Sequence, residues 1–341
     1  MEVARPPLLL ALILVCITVT RERSTPATRG AAFLLDSEAG LRNYGRSIAA
    51  DGPRIASIDG GSEQLVLRID RVDHETVTAE ARIALGPSHM LAPVAMRGDT
   101  VVVHTVFSDR LRFFTRVRAR GTNVQTLEVP DTCRDPVFHD VHLGDGVLVV
   151  ESRAVWCVVE RGYGRWSFTQ TIPHEAGAAI RVSRGRILVL SAHGNVEQYE
   201  RTSGGWRRTA AIEAPDGAGF ASRFAASDRW LAVVARSLDS GDEQLCVYDL
   251  DAHGRLVASL EIPAGRRAQQ LAVGASTLVI TDDIGGFEWA LTDQGWRAQD
   301  WLEGFSSPDL LPVTIGSVIW IGEPRLTGNP APIRGFVPGG D

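Results

Sequence analysis

The 341-residue chain contains no lysine, and arginine supplies all 35 of its positive charges. Without a lysine amine the chain cannot form a Schiff base, which excludes that class of covalent catalysis. The sequence also lacks a P-loop, a dinucleotide-binding glycine fingerprint, a Gly-x-Ser-x-Gly elbow and a His-Glu-x-x-His zinc motif. These absences argue against several common nucleotide-dependent, hydrolytic and metal-dependent enzyme classes.

The chain also lacks a concentrated basic segment. Its 41 acidic residues outnumber the arginines, and the formal net charge is −6. Proteins that bind nucleic acid need a positive patch, so we predict no nucleic-acid partner. A hydrophobic fraction of 44% and a charged fraction of 22% are typical of a globular domain and not of a disordered chain.

Cysteine is scarce, with four in the whole sequence. Cys16 lies in an apolar N-terminal segment, which leaves Cys133, Cys157 and Cys246, an odd number that cannot pair fully within the chain. No C-x-x-C spacing is present, so a zinc site is not predicted. We interpret the three as small apolar residues in strands, and a single disulfide stays open if the compartment is oxidising.

Only one long apolar run occurs, from Leu8 to Val19, and Arg5 precedes it. Twelve residues form about 18 Å of helix, short of the roughly 30 Å hydrocarbon core. We therefore predict that residues 1–30 are a signal peptide or N-terminal anchor plus a polar linker. A cleaved signal is favoured over an uncleaved anchor or a lipoprotein signal at Cys16. The predicted location is secreted or cell envelope, with the membrane contacted only through that segment.

The rest of the chain, residues 31–341, repeats one phrase. A small or aromatic residue opens an apolar-alternating stretch, a Gly/Asp turn follows, and a continuous β-branched run comes next. The first strong apolar residue after each turn recurs every 40 to 47 residues. These seven anchors are Ile55, Val101, Val147, Ile187, Leu231, Leu278 and Val318. Such regular spacing across one chain predicts a repeat architecture.

Each unit continues with an alternating strand, a Gly-centred turn and a further strand that often opens with tryptophan, as at Trp166, Trp206 and Trp296. We expect these three rings to pack between neighbouring sheets. A lone four-stranded sheet leaves both faces exposed, so such units close into a ring. The predicted fold is an all-β, seven-bladed β-propeller of four-stranded antiparallel blades in a single domain; a pair of β-sandwiches is the competing interpretation.

Ring closure needs one more strand, because the last unit has only three apolar segments after residue 310. The segment Ala32–Leu35 precedes the first unit and is apolar. We predict that residues 32–35 complete the last blade and so join the two ends of the chain.

The phrase resembles the FG-GAP repeat of integrin α-chain propellers and their bacterial secreted relatives. Tyr44-Gly-Arg-Ser-Ile-Ala and Phe220-Ala-Ser-Arg-Phe-Ala are similar to its opening, and Ile321-Gly-Glu-Pro is similar to the end of its second strand. The resemblance implies extracellular recognition and, in several repeats, a calcium loop. Here the corresponding turns are too short for a cation, and the nearest acidic string, Asp249–Gly254, includes His253. We therefore expect no cofactor, calcium included.

Candidate ligand-binding residues are few. Asp140 and His142 fall on a predicted first strand, which would line the central channel, and share a face there, so they could form an Asp–His pair. Trp301 is the tryptophan expected to be exposed. The paired carboxylates Asp282 and Asp283 are interpreted as a solvated turn.

No set of residues from several units forms a recognisable reaction centre. We therefore predict an exported, non-enzymatic propeller that binds a protein or polysaccharide through loops on one face, and we expect a monomer. An envelope assembly scaffold is one alternative. A propeller enzyme, such as a lyase or glycoside hydrolase with its site at the channel, is the other.

Overall fold

The structure is a computed structural model in which every strand pairing is antiparallel. It describes residues 32–35, 48–60, 64–73, 76–86, 93–105, 110–118, 121–133, 140–152, 155–173, 178–262, 266–282, 285–302, 311–315, 318–322 and 333–336. The predicted signal or anchor at residues 1–30 lies outside these residues. Within the described part of the chain, no helix is long and apolar enough to cross a membrane.

The described residues form seven four-stranded sheets. Six of them each use four strands that are consecutive in the chain, and we number these blades 1 to 6. Blade 1 comprises β2 (Ile48–Asp51), β3 (Arg54–Gly60), β4 (Leu65–Asp73) and β5 (Thr76–Gly86). Blade 2 comprises β6 (Val94–Arg97), β7 (Thr100–Thr105), β8 (Arg110–Arg118) and β9 (Gly121–Glu128). Blade 3 comprises β10 (Val141–Leu143), β11 (Val147–Glu151), β12 (Val155–Gly162) and β13 (Arg165–Pro173).

The next three blades repeat the same order. Blade 4 comprises β14 (Ala179–Ser183), β15 (Arg186–Leu190), β16 (Val196–Thr202) and β17 (Gly205–Ile212). Blade 5 comprises β18 (Ala218–Ala226), β19 (Trp230–Ser237), β20 (Glu243–Asp249) and β21 (Arg255–Glu261). Blade 6 comprises β22 (Gln270–Val273), β23 (Thr277–Thr281), β24 (Gly286–Thr292) and β25 (Gly295–Leu302).

The remaining sheet combines both ends of the described chain. It contains β26 (Leu311–Ile315), β27 (Val318–Gly322) and β28 (Ile333–Phe336), and its fourth strand is β1 (Ala32–Leu35). β1 pairs antiparallel with β28, with Ala32 opposite Phe336 and Leu35 opposite Ile333. We call it the composite sheet. Its first strand, β26, contacts the first strands of blades 1 and 6.

The first strands of consecutive blades contact one another around the molecule, which makes the fold an all-β propeller of antiparallel four-stranded blades. Each of the seven anchor residues lies in the second strand of a different sheet. The strands concerned are β3, β7, β11, β15, β19, β23 and β27. The repeated phrase therefore marks the same structural position every time.

The second strands β11, β15, β19 and β23 are almost wholly apolar because both of their faces are buried. In β15, Ile187 and Val189 pack into a core shared with blade 3, whereas Leu188 and Leu190 pack into a core shared with blade 5. The same alternation joins the other described neighbours among blades 1 to 6. The hydrophobic core is thus a series of layers, each between two blades.

The recurring tryptophans lie in these layers. Trp166, Trp206 and Trp296 are buried, which confirms the expectation that they pack between sheets. The ring of Trp166 stacks on Phe113 of the preceding blade with centroids 4.8 Å apart, and Trp296 meets Trp230 edge to face at 5.7 Å. Each tryptophan therefore fixes its own blade against the one before it.

Two glutamines bind neighbouring blades together next to these rings. Gln125 on β9 accepts from the Trp166 amide at 2.9 Å and donates to the Trp166 carbonyl at 2.8 Å. Gln170 on β13 makes the same pair of bonds to Trp206, at 2.8 and 3.0 Å. Gly205 must be glycine here, since its φ is +96° and a Cβ would lie 2.5 Å from the Gln170 Oε1.

A disulfide joins Cys133 to Cys157, with their Cα atoms 6.1 Å apart. Cys133 ends a short 3-10 turn in the connection from blade 2 to blade 3, and Cys157 lies on β12. The interpretation of the three cysteines as small apolar strand residues was wrong for Cys133, which lies in a linker packed against the next blade, and the single disulfide that the sequence left open is formed. Cys246 is buried and free.

Candidate binding face and channel mouth

One end of blades 1 to 6 carries the tight turns that join first to second strands and third to fourth strands. We call it the hairpin face. Both kinds of turn meet there: in blade 3 the Arg161 amide at the end of β12 donates to the Gly146 carbonyl in the first turn at 2.9 Å. Positive-φ glycines make the turns short, as at Gly146 and Gly164. The turns therefore bring polar side chains from different blades close to the axis.

Arg97, the last residue of β6, binds carboxylates of three other blades. Its guanidinium contacts Asp145 of blade 3 through two bonds of 2.7 and 3.1 Å. It also contacts Asp228 of blade 5 at 2.7 Å and Asp51 of blade 1 at 3.3 Å. Arg97 and Asp228 are 131 positions apart in the chain. One side chain of blade 2 therefore connects four blades across the mouth of the channel.

Further bonds join the turns of adjacent blades. The buried Arg54 of blade 1 donates to the Gly98 carbonyl at 3.2 Å and approaches Asp99 at 3.5 Å. The Asp145 amide donates to the Arg184 carbonyl at 3.0 Å, and the Arg184 guanidinium binds Asp251 at 3.1 Å. The hairpin face is therefore a network that reaches from blade 1 to blade 5.

Arg97 favours the ionised form of Asp145. Hydrogen bonds from Arg97 lower the pKa of Asp145 below its usual value, against the opposing effect of burial, and the charges of Arg97 and Arg184 act in the same direction as the hydrogen bonds. The same bond to Asp145 raises the pKa of Arg97, although burial works against it. The Asp145 carboxylate is therefore held as an ion pair with Arg97.

Behind the mouth lies a central cavity of about 750 Å³. Its wall combines residues of the first strands, such as Ala50, Met96, Leu143, Ala225 and Leu271, with charged side chains of the mouth. All five lie on first strands, which are the strands that face the axis. Arg181 adds a guanidinium to the wall; it donates to the Ile180 carbonyl and lies 5.4 Å from the centre of the Phe224 ring.

A second depression extends from the mouth towards the rim between blades 2 and 3. Its inner part, about 590 Å³, is lined by Asp51, Arg97, Asp99, Asp145 and Asp228. Its outer part, about 780 Å³, is lined by β9 residues 123–126 and by 164–167 of blade 3. Arg161 and Trp166 line both parts, so the two form one radial groove.

The predicted Asp140–His142 pair is not formed. Asp140 precedes β10 and is exposed, and its carboxylate accepts from the Val141 amide at 2.9 Å. His142 is buried, and its Nε2 lies 3.6 Å from the Glu151 Oε1. The strand begins at Val141, so the alternation that would give both side chains one face does not reach Asp140. Neither residue lines a described cavity on the hairpin face.

Trp301 lies on β25, opposite Phe287 in the register with β24. The position of its side chain is outside the described part of the structure, so its exposure stays a prediction. Asp282 differs from the expected solvated turn: it is buried and pairs with Arg266 at 3.0 Å. Its partner lies sixteen positions earlier, in the connection between blades 5 and 6.

Both carboxylates of the acidic string Asp249–Gly254 already bind other groups of the protein. Asp249 is buried, accepts from the Asp251 amide at 2.9 Å and binds Arg229 at 3.0 Å. Asp251 binds Arg184, and His253 adopts a left-handed conformation that ends the turn. Among the described residues no group of three or more His, Cys, Asp or Glu side chains is arranged to hold a metal ion.

No protein-family model matches the sequence, and neither does any curated protein. Solved structures do match the fold. The WD40 domain of Toxoplasma gondii coronin has a TM-score of 0.59 at 10% identity, over 92% of this chain and 87% of that chain. A chain of the mitotic checkpoint complex has a TM-score of 0.58 at 12% identity, over 99% and 96%.

Sqt1 from Saccharomyces cerevisiae has a TM-score of 0.55 at 8% identity, over 91% of this chain and 100% of that chain. At these identities the similarity establishes a propeller fold and nothing about a ligand. The resemblance to FG-GAP repeats stays a prediction.

Sequence reasoning missed Arg97 and its carboxylates, although one signal was available. Arg97-Gly-Asp99, Gly144-Asp145-Gly146 and Ser227-Asp228-Arg229 occupy the same turn in three repeats. Aligning the turns by repeat position, and then asking which of them carry charge, would have collected these residues at one mouth.

Proposed function

We propose that this chain is an exported, non-enzymatic propeller that binds a protein partner through its hairpin face. The observation that carries the proposal is the radial groove, which runs from the channel mouth to the rim between blades 2 and 3. A regular scaffold with one continuous depression on one face is typical of recognition proteins. Propellers of the WD40 type, among them the coronin domain, support this role by their fold alone.

In the same proposal the composite sheet is the seventh blade of a single ring. Its first strand contacts those of blades 1 and 6, which supports a closed ring without a free sheet edge between the chain ends.

Two independent features support export. Residues 8–19 have the length of a signal-peptide core, and the Cys133–Cys157 disulfide is typical of proteins in oxidising compartments. A secreted or envelope location follows, with the cleaved signal favoured over an anchor.

The composition of the channel argues against the enzyme alternative. An enzyme site at the axis would need acidic, histidine or tyrosine side chains from several first strands to converge there. The described wall combines small and apolar residues with several arginines and includes no histidine or tyrosine, and its two carboxylates, Asp51 and Asp228, are ion-paired to Arg97. A binding role uses this arrangement without requiring any proton transfer.

The test is capture of envelope proteins and glycans by the exported protein, with one variant on each face. Asp99→Arg reverses a charge in the groove, and Arg267→Glu reverses an exposed charge in the connection from blade 5 to blade 6, at the opposite end of the blades. We expect a protein partner that is lost with the first variant and retained with the second. If neither the protein screen nor the glycan screen yielded a partner, the proposal would be contradicted. If only a glycan were captured, the ligand would be a polysaccharide and not a protein.

A further inference from the structure

The wall of the central cavity contains a positive charge without a carboxylate partner. Among the described residues four arginines line this wall. Arg97, Arg184 and Arg229 each bind at least one carboxylate. Arg181 has no described carboxylate within ion-pair distance, and its guanidinium donates to the Ile180 carbonyl at 2.7 Å. A guanidinium carries several N–H donors in a planar fork, so most donors of Arg181 remain available to a ligand.

Arg181 occupies a repeat position that is otherwise small or apolar. It lies on β14 opposite Leu188, the residue that follows the anchor Ile187. In the other five of blades 1 to 6, the first-strand residue at the equivalent pairing position has an apolar side chain. These residues are Ala49, Ala95, Leu143, Ala225 and Ala272. The blade fold therefore does not require an arginine here, since five blades form without one.

The small side chains leave space in front of this guanidinium. Leu143, Ala225 and Ala272 line the same cavity of about 750 Å³, which is in the size range of small-molecule pockets. Arg181 is itself half-buried, so water solvates its charge only in part. An anion in this cavity would pair with Arg181 in surroundings of low dielectric constant, where the attraction is stronger than in water.

We propose that the central cavity binds a small monocarboxylate, with its carboxylate on Arg181 and its apolar body against Leu143, Ala225 and Ala272. One unpaired cation matches one negative charge. A second carboxylate on the ligand would be buried against the apolar wall or would approach Asp51 and Asp228 at the mouth, and both placements are unfavourable. This site goes beyond the proposed function, because its ligand is distinct from the protein partner on the hairpin face.

The channel mouth favours a free small molecule over an acidic loop of a partner protein. Arg97 of blade 2 binds Asp228 of blade 5 at 2.7 Å across the axis, and it also binds Asp51 and Asp145. A polypeptide loop that entered the channel would have to break several of these charged hydrogen bonds, which are stronger than neutral ones. A single alkyl chain occupies much less of the mouth.

The test is a titration followed by saturation-transfer NMR with three ligands of the same chain length. These are hexanoate, its neutral amide hexanamide, and adipate, which has a carboxylate at each end. We expect hexanoate to bind about tenfold more tightly than hexanamide, and adipate to bind more weakly than hexanoate. Absence of hexanoate binding, or equal affinities for hexanoate and hexanamide, would overturn the proposal. Tighter binding of adipate would overturn the choice of a monocarboxylate.

Arg181→Leu tests the cation. Blade 3 has Leu143 at the equivalent position, so we expect this variant to fold, which a thermal melt checks. Its affinity for hexanoate should fall about tenfold, to that of hexanamide, while its affinity for hexanamide stays unchanged. The matched control is Arg255→Leu, which replaces an exposed arginine on β21 and should bind hexanoate like the wild type. Hexanoate binding by Arg181→Leu at the wild-type affinity would overturn the proposal.

Arg181→Lys keeps the charge and should keep the preference for hexanoate over hexanamide, so it tests the cation even if the leucine variant does not fold. Ala50→Met tests the cavity, because blade 2 has Met96 at the position equivalent to Ala50. The larger side chain should fill part of the cavity and weaken the binding of hexanoate and hexanamide alike. Unchanged binding of both ligands by Ala50→Met would overturn the placement of the site in the central cavity.

Discussion

At the scale of the residue, Arg97 has the largest structural consequences. Its guanidinium is in contact with Asp51, Asp145 and Asp228, so three negative charges converge on one positive charge at the channel mouth. Removing that charge would leave the three carboxylates close to one another and without their shared donor. Hydrogen bonds to charged groups contribute more than neutral ones, and the Arg97 side chain is 24% exposed, so solvent screens the site only in part.

We expect Arg97→Met to lower the free energy of unfolding by about 2 kcal/mol at pH 7, measured by urea denaturation. The loss should shrink in acid. Because the pKa of Asp145 is lowered in the folded protein, its stabilising effect is present above the ordinary value of 3.8 and is lost as the pH falls through the folded pKa. Wild type and variant should therefore converge as the pH falls below 3.8 and through the lower folded pKa of Asp145. If the free energies of unfolding of wild type and variant differed equally at pH 7 and in acid, the ion-pair explanation would be contradicted. Arg255→Met, which replaces an exposed arginine, is the control.

At the scale of the element, the blades are joined by a tryptophan and a glutamine at a common position. Gln170 mimics a paired strand for the Trp206 backbone, satisfying one amide and one carbonyl at the edge of β17. An unsatisfied edge is costly when buried and invites pairing with other chains. The Gln170 side chain thus bonds to the edge of β17 as a fifth strand would. Its amide oxygen lies so close to residue 205 that a Cβ there would clash, which explains why this residue is glycine.

Gln170→Ala should reduce the free energy of unfolding by about 2 kcal/mol, since two hydrogen bonds of about 1 kcal/mol each are lost. Gln299→Ala is the matched control: Gln299 is an exposed residue on the outermost strand of blade 6, and we expect its replacement to be nearly neutral. Thermal melts of both variants supply the measurement. Similar melting temperatures for the two variants would show that the hydrogen bonds of Gln170 do not stabilise the folded protein.

At the scale of the whole molecule, the chain ends meet in the composite sheet. β1 precedes all other described strands and yet pairs with β28, the last of them. The disulfide adds a second long-range restraint between blades 2 and 3, and closing a loop of this length stabilises a fold by about 3 kcal/mol in the chain-entropy treatment.

A chain that begins at residue 36 should unfold at a lower urea concentration than one that begins at residue 31, because β28 then loses its antiparallel partner. Four residues of pairing correspond to about 3 kcal/mol. Adding a synthetic peptide of residues 31–36 should recover part of the difference. Identical unfolding curves for the two chains would mean that β1 does not contribute to closure.

Much of the architecture could be predicted from the sequence because it depends on local patterns. Ile55 and the six later anchors stand at the start of β-branched runs, and such runs form strands with both faces buried wherever a blade has two neighbours. Trp166, Trp206 and Trp296 follow turn glycines, so their repeat position and burial could be predicted as well.

The composition of the candidate site could not be predicted in this way. The curvature of the ring decides which residues of different blades come close together. Asp140 and His142 are near in sequence and do not pair, since a strand begins between them. Arg97 and Asp228 are far apart in sequence and do pair, since blades 2 and 5 face each other across the axis. The amino-acid sequence by itself determined the repeat, the strands and the buried layers, which arise from alternation and turn chemistry within some 45 residues. Only the tertiary structure decided which turns share the channel mouth, which cysteines pair and which carboxylates Arg97 binds, because those depend on distances between blades.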